Sequence, residues 1–119
     1  MAWSFDKHTP VYIQIAERIR SEIITGEYPP ESQIPSVRQL ACMAAVNPNT
    51  VQRALTELED EGIIYSKGTS GRFVTDDAAL IDSARHKVAR SVVSDFLAQA
   101  QRLGITKEEI ISMIEEVRE

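Results

Sequence analysis

Residues 36–62 of the chain read SVRQLACMAAVNPNTVQRALTELEDEG, and this segment carries two helix-start signals. Ser36 and Gln39 form a capping-box pattern, which predicts the start of a short helix. Asn47 followed by Pro48 predicts a second start, because asparagine caps a helix and proline fits its first position. Apolar residues at helical spacing then continue to a terminating glycine. The stretch therefore predicts two short helices joined by three or four residues, as in a helix-turn-helix.

An amphipathic helix precedes this pair. Thr9 is the predicted N-cap, Pro10 is the predicted first helical residue, and Gly26 is the predicted end. One face is apolar at every fourth position and should be buried; it carries Val11, Ile15, Ile19 and Ile23. The double proline at residues 29–30 cannot continue a helix, so an irregular loop is predicted up to Pro35.

The pattern changes to that of β-strands after Gly62. Residues 63–65 and 73–74 are β-branched or aromatic, and the segment between them contains two glycines that suit a hairpin tip. This arrangement predicts a two-stranded wing. Helical spacing returns in a long helix over about residues 77–103, and a last helix begins with a capping box at Thr106.

These elements predict a mainly α fold with a small β-wing. Residues 9–76 are predicted to form an N-terminal winged helix-turn-helix, and residues 77–119 a C-terminal two-helix dimerisation region. In a winged helix-turn-helix, the third helix enters the major groove of DNA. The order of elements alone therefore favours a DNA-binding protein.

The charge distribution supports a local basic surface on an acidic chain. The 119 residues carry a net charge of −5, which argues against a protein that coats nucleic acid. The acids are unevenly placed, however, because residues 32–56 and 62–75 contain none. Those two segments hold four cations: Arg38, Arg53, Lys67 and Arg72. The predicted third helix begins in the first acid-free segment, and the predicted wing begins in the second.

Several classes of protein are disfavoured by composition. No apolar run approaches the roughly 20 residues of a membrane span, and the first residues lack a signal peptide's apolar stretch, so a cytoplasmic protein is expected. His8 and His86 are the only histidines, too few for a catalytic metal site. Cys42 is expected to be a packed thiol rather than a redox sensor. We expect neither an enzyme nor a bound cofactor or metal.

Four segments closely resemble the signature of the GntR family of bacterial transcription regulators. They are PVYIQI at residues 10–15, IPSVRQLA at 34–41, NPNTV at 47–51 and LEDEGII at 58–64. The Asn-Pro-Asn-Thr segment and the short tail are similar to the YtrA-like subfamily, whose tail is a helical dimerisation region. The resemblance implies a regulator, and most often a repressor, that binds a pseudo-palindromic operator as a homodimer.

The residue types at the predicted DNA-facing positions suit nucleic-acid contacts. Arg38 begins beside the positive end of a helix, so it can bind phosphate or guanine; the alternative is a solvated charge. On the third helix, Asn49 and Gln52 can pair with adenine, Arg53 with guanine, and the Thr50 methyl can touch thymine. Many members of the GntR family have arginines at the positions of Pro48 and Gln52. The DNA sequences that those members bind therefore do not predict the operator of this chain.

The wing completes the predicted contact set. Small residues at its tip fit the minor groove, and Lys67 or Arg72 would meet phosphate; the alternative is an ordinary surface hairpin. The predicted DNA-binding residues are Ser36, Arg38, Asn49, Thr50, Gln52, Arg53, Lys67, Thr69, Ser70, Gly71 and Arg72.

The long helix carries more apolar side chains than a small winged domain can cover. A second copy of the chain is the expected partner, and the alternative is that the stripe packs within one chain. The predicted dimer interface is Val88, Val92, Val93, Phe96, Leu97 and Leu103. The expected partners are thus a double-stranded DNA operator and a second copy, with no membrane and with any small-molecule effector left open. The alternative function is a winged helix used only for protein–protein interaction, but such a module has no reason to exclude acids from its third helix and wing.

Overall fold

The computed structural model describes residues 2–118, so Met1 and Glu119, the last residue of the predicted tail, lie outside it. The described chain is mainly helical with one two-stranded antiparallel sheet, which confirms the predicted fold class. In chain order its elements are α1 (Val11–Ile24), α2 (Val37–Ala44), α3 (Pro48–Asp60), β1 (Ile64–Ser66), β2 (Arg72–Val74), α4 (Ala78–Arg102) and α5 (Lys107–Glu116). A single 3-10 turn, Gly68–Ser70, forms the tip of the wing.

The predicted helix starts of α2, α3 and α5 are confirmed. The Ser36 hydroxyl accepts from the Gln39 amide at 3.1 Å, and the Gln39 side chain accepts from the Ser36 amide at 2.9 Å. Asn47 caps α3, with proline at its first position. A second complete capping box, at Thr106, opens α5. Local hydrogen bonding therefore fixes where each of these helices begins.

The predicted cap of α1 is wrong by one position. Pro10, with φ −53° and ψ 140°, occupies the N-cap, and no side chain caps this helix. Its carbonyl accepts the first helical bonds, from the amides of Ile13 at 3.1 Å and Gln14 at 3.3 Å. Thr9 lies outside the helix because its amide donates to the Asp6 carboxylate at 3.2 Å and its carbonyl accepts from the Gln14 side chain at 2.7 Å.

The core of the N-terminal part lies between the three helices and the wing. Both α1 and α2 pack against α3, and α3 also contacts β1. The largest fully buried side chains are Ile15, Ile19, Leu40, Val51, Leu55, Leu58, Ile63, Ile64 and Val74. The expectation of a packed thiol at Cys42 is wrong, since the residue is exposed. Helix α2 has only eight residues and buries Leu40, Ala41 and Ala44, which leaves Cys42 on its solvent side.

A segment outside the wing also forms backbone hydrogen bonds with it, which the sequence did not predict. The segment before α2 runs along the free edge of β2: the Glu31 amide donates to the Val74 carbonyl at 2.9 Å, and the Ile34 amide donates to the Arg72 carbonyl at 3.0 Å. An isolated bridge pairs Gln33 with Phe73. The loop that leads into α2 is therefore hydrogen-bonded to the wing.

The chain divides into two compact units, one up to Ser83 and one from Ala84 onward. In the second unit Ala100 and Ile110 are buried, while most apolar side chains of α4 and α5 are exposed. Among residues 2–118, no helix combines the length and the apolar character that crossing a membrane requires. The same residues contain no group of three or more His, Cys, Asp or Glu that could hold a metal ion.

Candidate nucleic-acid interface

The start of α2 offers unused hydrogen-bond donors beside a cation. Arg38 is exposed, and so is the capping residue Ser36. The backbone amides of Val37 and Arg38 have no acceptor within the described chain, because the cap satisfies only the amides that follow them. Free amides at a helix N-terminus carry partial positive charge. Together with the Arg38 guanidinium they suit the oxygens of a phosphate.

The start of α3 is chemically different because its backbone donors are already satisfied. Pro48 has no amide hydrogen, the Asn49 amide donates to the Asn47 side chain at 2.8 Å, and the Thr50 amide donates to the Asn47 carbonyl at 3.0 Å. Any contact made here must therefore come from side chains. Asn49, Gln52 and Arg53 are exposed, and Thr50 is half-buried.

The structure brings three of these α3 residues together against α1. Asn49, Thr50 and Arg53 line a shallow hollow of about 330 Å³ with Val11 and Tyr12. The Arg53 guanidinium carbon lies 3.9 Å from the centre of the Tyr12 ring. Sequence reasoning missed Tyr12, because nothing in the spacing of α1 indicates which residue of α3 its exposed side meets.

The tip of the wing is held in place by Gln33, another residue that sequence reasoning missed. The Gln33 side-chain amide donates to the Ser70 carbonyl at 2.7 Å. Gly71 has φ +112°, which favours glycine, and a Cβ there would lie 2.6 Å from the Gln33 side-chain nitrogen and displace it. Thr69, Ser70 and Lys67 are exposed around this tip, and the Lys67 ammonium lies 5.5 Å from the Phe73 ring centre.

Arg72 is bound within its own chain. Its Nε donates to the Glu59 carboxylate at 2.8 Å, and the Ser66 hydroxyl donates to the same carboxylate at 2.9 Å. Hydrogen bonding from Arg72 lowers the pKa of Glu59, with a smaller contribution from Ser66. One carboxylate at the end of α3 thus ties both strands of the wing to that helix.

A second carboxylate, that of Glu61 directly after α3, links the end of α3 to α1. Glu61 forms a two-pronged ion pair with Arg20, whose Nε donates at 2.9 Å. This hydrogen bond raises the pKa of Arg20. Glu59 and Glu61 therefore form ion pairs within the chain at the C-terminal end of α3, away from the candidate base contacts at its N-terminal end.

The predicted dimer residues form an exposed apolar surface in the second unit. Val92 is 61% exposed, Phe96 47% and Leu103 78%; Val88 and Val93 are also exposed, and Leu97 is half-buried. Beside them lies a hollow of about 310 Å³ between α4 and α5. Its lining adds residues that the predicted interface omitted: Ile105, Ile110, Met113, Ile114 and Val117.

Comparison with known proteins shows that the chain is similar to regulators of transcription. The family model described as bacterial regulatory proteins, gntR family, matches residues 11–74. The HTH-type transcriptional regulator YhcF of Bacillus subtilis is 37% identical over 110 residues, which cover 92% of this chain and 91% of the relative. The HTH-type transcriptional repressor YtrA of the same organism is 30% identical over 110 residues, 92% of this chain and 85% of the relative.

Solved structures agree with the sequence comparison. A GntR family transcriptional regulator from Listeria monocytogenes superposes with a TM-score of 0.85 at 38% identity, covering 96% of this chain and 100% of that one. AraR(DBD), crystallised in complex with operator ORX1, superposes with a TM-score of 0.58 at 30% identity. That match covers 60% of this chain and 93% of AraR(DBD).

Proposed function

Because the chain belongs to the GntR family of bacterial regulatory proteins, we propose that it is a repressor that binds a pseudo-palindromic DNA operator as a homodimer. The observation that carries this proposal is the difference between two neighbouring helix starts. Helix α2 presents free amides and Arg38, whereas α3 presents only side chains. The first arrangement suits a phosphate and the second suits base edges, which are the two kinds of contact that a DNA-reading surface needs.

We assign DNA binding to residues 9–76. Arg38 and the α2 amides bind a phosphate and set the register of the protein on the duplex. Asn49, Thr50, Gln52 and Arg53 read bases in the major groove. In the wing, Lys67 binds phosphate and the small tip residues Thr69, Ser70 and Gly71 approach the minor groove. We assign Arg72 an internal role, because its Nε donates to the Glu59 carboxylate.

We assign pairing of two chains to residues 77–119. The exposed valines and Phe96 of α4, with Leu103 directly after it, form a surface that an isolated chain would leave in water. A two-fold dimer presents two reading surfaces to two half-sites about 34 Å apart, one turn of DNA. Each surface has few cations, so linking two of them raises the affinity for a palindrome well above that of one.

The alternative of a winged helix that binds only protein is disfavoured by where the acids lie. Glu59 and Glu61 form ion pairs with arginines, and the first two turns of α3 contain no acidic residue. A protein-binding surface has no reason for that depletion, whereas a DNA-binding surface must exclude like charge. Since a regulator of transcription acts on the chromosome, we propose that the protein is cytoplasmic.

The proposal is tested by selecting binding duplexes from random double-stranded DNA with the full chain. We expect a two-fold symmetric consensus to be enriched, and Arg38→Ala to weaken binding to it by about 1 to 3 kcal/mol at fixed salt. Arg102→Ala, which removes an exposed arginine from the last turn of α4, is the matched control and should leave affinity within about 0.5 kcal/mol. Failure to enrich any sequence would overturn the proposal, and equal effects of the two variants would overturn the assignment of Arg38.

A further inference from the structure

The contact between Arg53 and Tyr12 differs from the other arginine contacts of the N-terminal unit in having no carboxylate beside it. Arg18, Arg20 and Arg72 each pair with a carboxylate, although Arg18 also lies 4.0 Å from the centre of the Trp3 ring. Arg53 makes no salt bridge to any described residue and instead lies against an aromatic ring, at 3.9 Å. The difference matters because a carboxylate occupies the N–H donors of a guanidinium, whereas a ring binds its face and leaves the donors at its edge free.

The two residues are held by elements that pack firmly together. Tyr12 is half-buried in the first turn of α1, and α1 packs against α3. Arg53 follows Asn49 by four residues and Thr50 by three, so the three side chains share one face of α3. All of them line the same hollow with Tyr12. The ring therefore supports the guanidinium on the face of α3 that carries two other candidate base contacts, Asn49 and Thr50.

We propose that Tyr12 is a positioning residue that holds the Arg53 guanidinium ready for the edge of a guanine. The inference rests on the proposed function and adds a residue of α1 to the reading surface of α3. Arginine is flexible, and its bidentate contact with guanine O6 and N7 needs one orientation. A ring already beneath the guanidinium reduces the freedom lost on binding, so Tyr12 increases both affinity and preference for guanine at one position of each half-site.

The test compares Tyr12→Leu with the conservative Tyr12→Phe. The probes are the duplex enriched by the wild-type chain and versions of it in which each G·C pair is replaced by A·T. Tyr12→Leu should bind the enriched duplex about threefold to tenfold more weakly and lose discrimination at one G·C position. Tyr12→Phe keeps a ring and should restore both quantities. Uniform weakening on all duplexes, or no recovery with phenylalanine, would overturn the proposal.

A double-mutant cycle separates positioning from a structural role. If Tyr12 acts through Arg53, then Tyr12→Leu should have little further effect on binding in an Arg53→Ala background. Additive losses would show that the ring acts elsewhere. Wild-type chain that enriches no sequence would defeat the proposed function, whereas enrichment with an unaffected Tyr12→Leu variant would defeat this inference alone.

A measurement on the unmodified chain covers the case in which Tyr12→Leu does not fold. Ring currents shift protons above an aromatic face upfield, so the side-chain proton resonances of Arg53 should lie upfield of their ordinary positions in the NMR spectrum of free wild-type protein. Retention of that shift in Tyr12→Phe is the expected result. Ordinary resonance positions in the wild type would overturn the proposal without any variant.

Discussion

At the residue scale, contacts that read bases and contacts that bind phosphate have different experimental signatures. Asn49 lies at the start of α3, where the backbone amides are already hydrogen-bonded, whereas Lys67 is an exposed cation of the wing. Asn49→Ala should reduce the ratio of operator to random-DNA affinity, because the proposed base contact is lost. Lys67→Ala should weaken both about equally and lower the slope of binding against salt concentration by about one. Affinities measured across a salt series test this, and an exchange of the two patterns would mean that the helix and wing roles are reversed.

Glu22 is a residue whose charge costs stability. Its Oε1 is buried with no hydrogen-bond partner among the described residues, and Arg18 approaches the other oxygen only at 3.9 Å. Burial raises the pKa of Glu22 above its ordinary 4.5, against the opposing effect of Arg18. The folded state therefore favours the protonated form and loses stability as the pH rises from 4.5 through the raised pKa.

Glu22→Gln removes this cost and should raise the melting temperature at pH 7. The advantage should disappear below pH 4.5, where the wild-type carboxyl is protonated in both the folded and unfolded states. Thermal unfolding followed by circular dichroism across this range provides the measurement. Glu17→Gln, at an exposed position of the same helix, is the control and should change little. A glutamine variant less stable than wild type at pH 7 would show that the Arg18 ion pair outweighs the desolvation.

At the scale of elements, Glu59 links the wing to α3. It accepts hydrogen bonds from Arg72 on β2 and from Ser66 on β1. Its lowered pKa means that this stabilisation is present above the ordinary value of 4.5 and is lost as the pH falls below it, through the folded-state pKa. This carboxylate is therefore one of the contacts that hold the wing against α3, beside the packing of α3 on β1 and the pairing of residues 31–34 with β2.

Glu59→Ala should lower the free energy of unfolding at pH 7 by about 1 kcal/mol and speed amide exchange in the wing. Asp60→Ala removes a neighbouring exposed carboxylate and should do neither. Denaturant unfolding and hydrogen exchange followed by NMR provide the two measurements. Unchanged exchange at β1 and β2 in the Glu59 variant would contradict the assigned link.

Elements with strong local signals could be predicted from the sequence, and elements held by distant partners could not. Capping boxes predicted α2 and α5 because their hydrogen bonds lie within four residues. The pairing of residues 31–34 with β2 was missed because the sequence there is irregular and its partner is about 40 residues away.

The candidate site shows the same limit. Residue type and charge indicated Arg38, Asn49 and Arg53, and the structure places all three on the surface. The roles of Tyr12 and Glu59 depend on contacts 41 and 13 residues away, which no local pattern encodes. For the same reason, the sequence did not indicate that Arg72, a predicted phosphate ligand, also donates to the Glu59 carboxylate in the folded chain.

At the scale of the whole molecule, pairing of two tails should control DNA affinity. Phe96 is 47% exposed within the apolar surface of α4. Phe96→Asp would place a charge in the proposed interface between two chains and should yield monomers that lose operator binding, although no proposed DNA contact changes. Ser91→Asp introduces the same charge at an exposed position about 140° round the helix and is the control. Sedimentation equilibrium at tens of micromolar provides the measurement, and a dimeric Phe96→Asp variant would contradict the assigned interface.

A hydroxyl-radical footprint of the wild-type chain on its enriched duplex tests the central claim, that two linked copies read one palindrome. We predict two protected patches on one face of the duplex, about 34 Å apart along its axis, that appear together as protein is added. Phe96→Asp should abolish both at the same concentration. A single protected patch, or two patches that fill independently and persist in Phe96→Asp, would contradict the account.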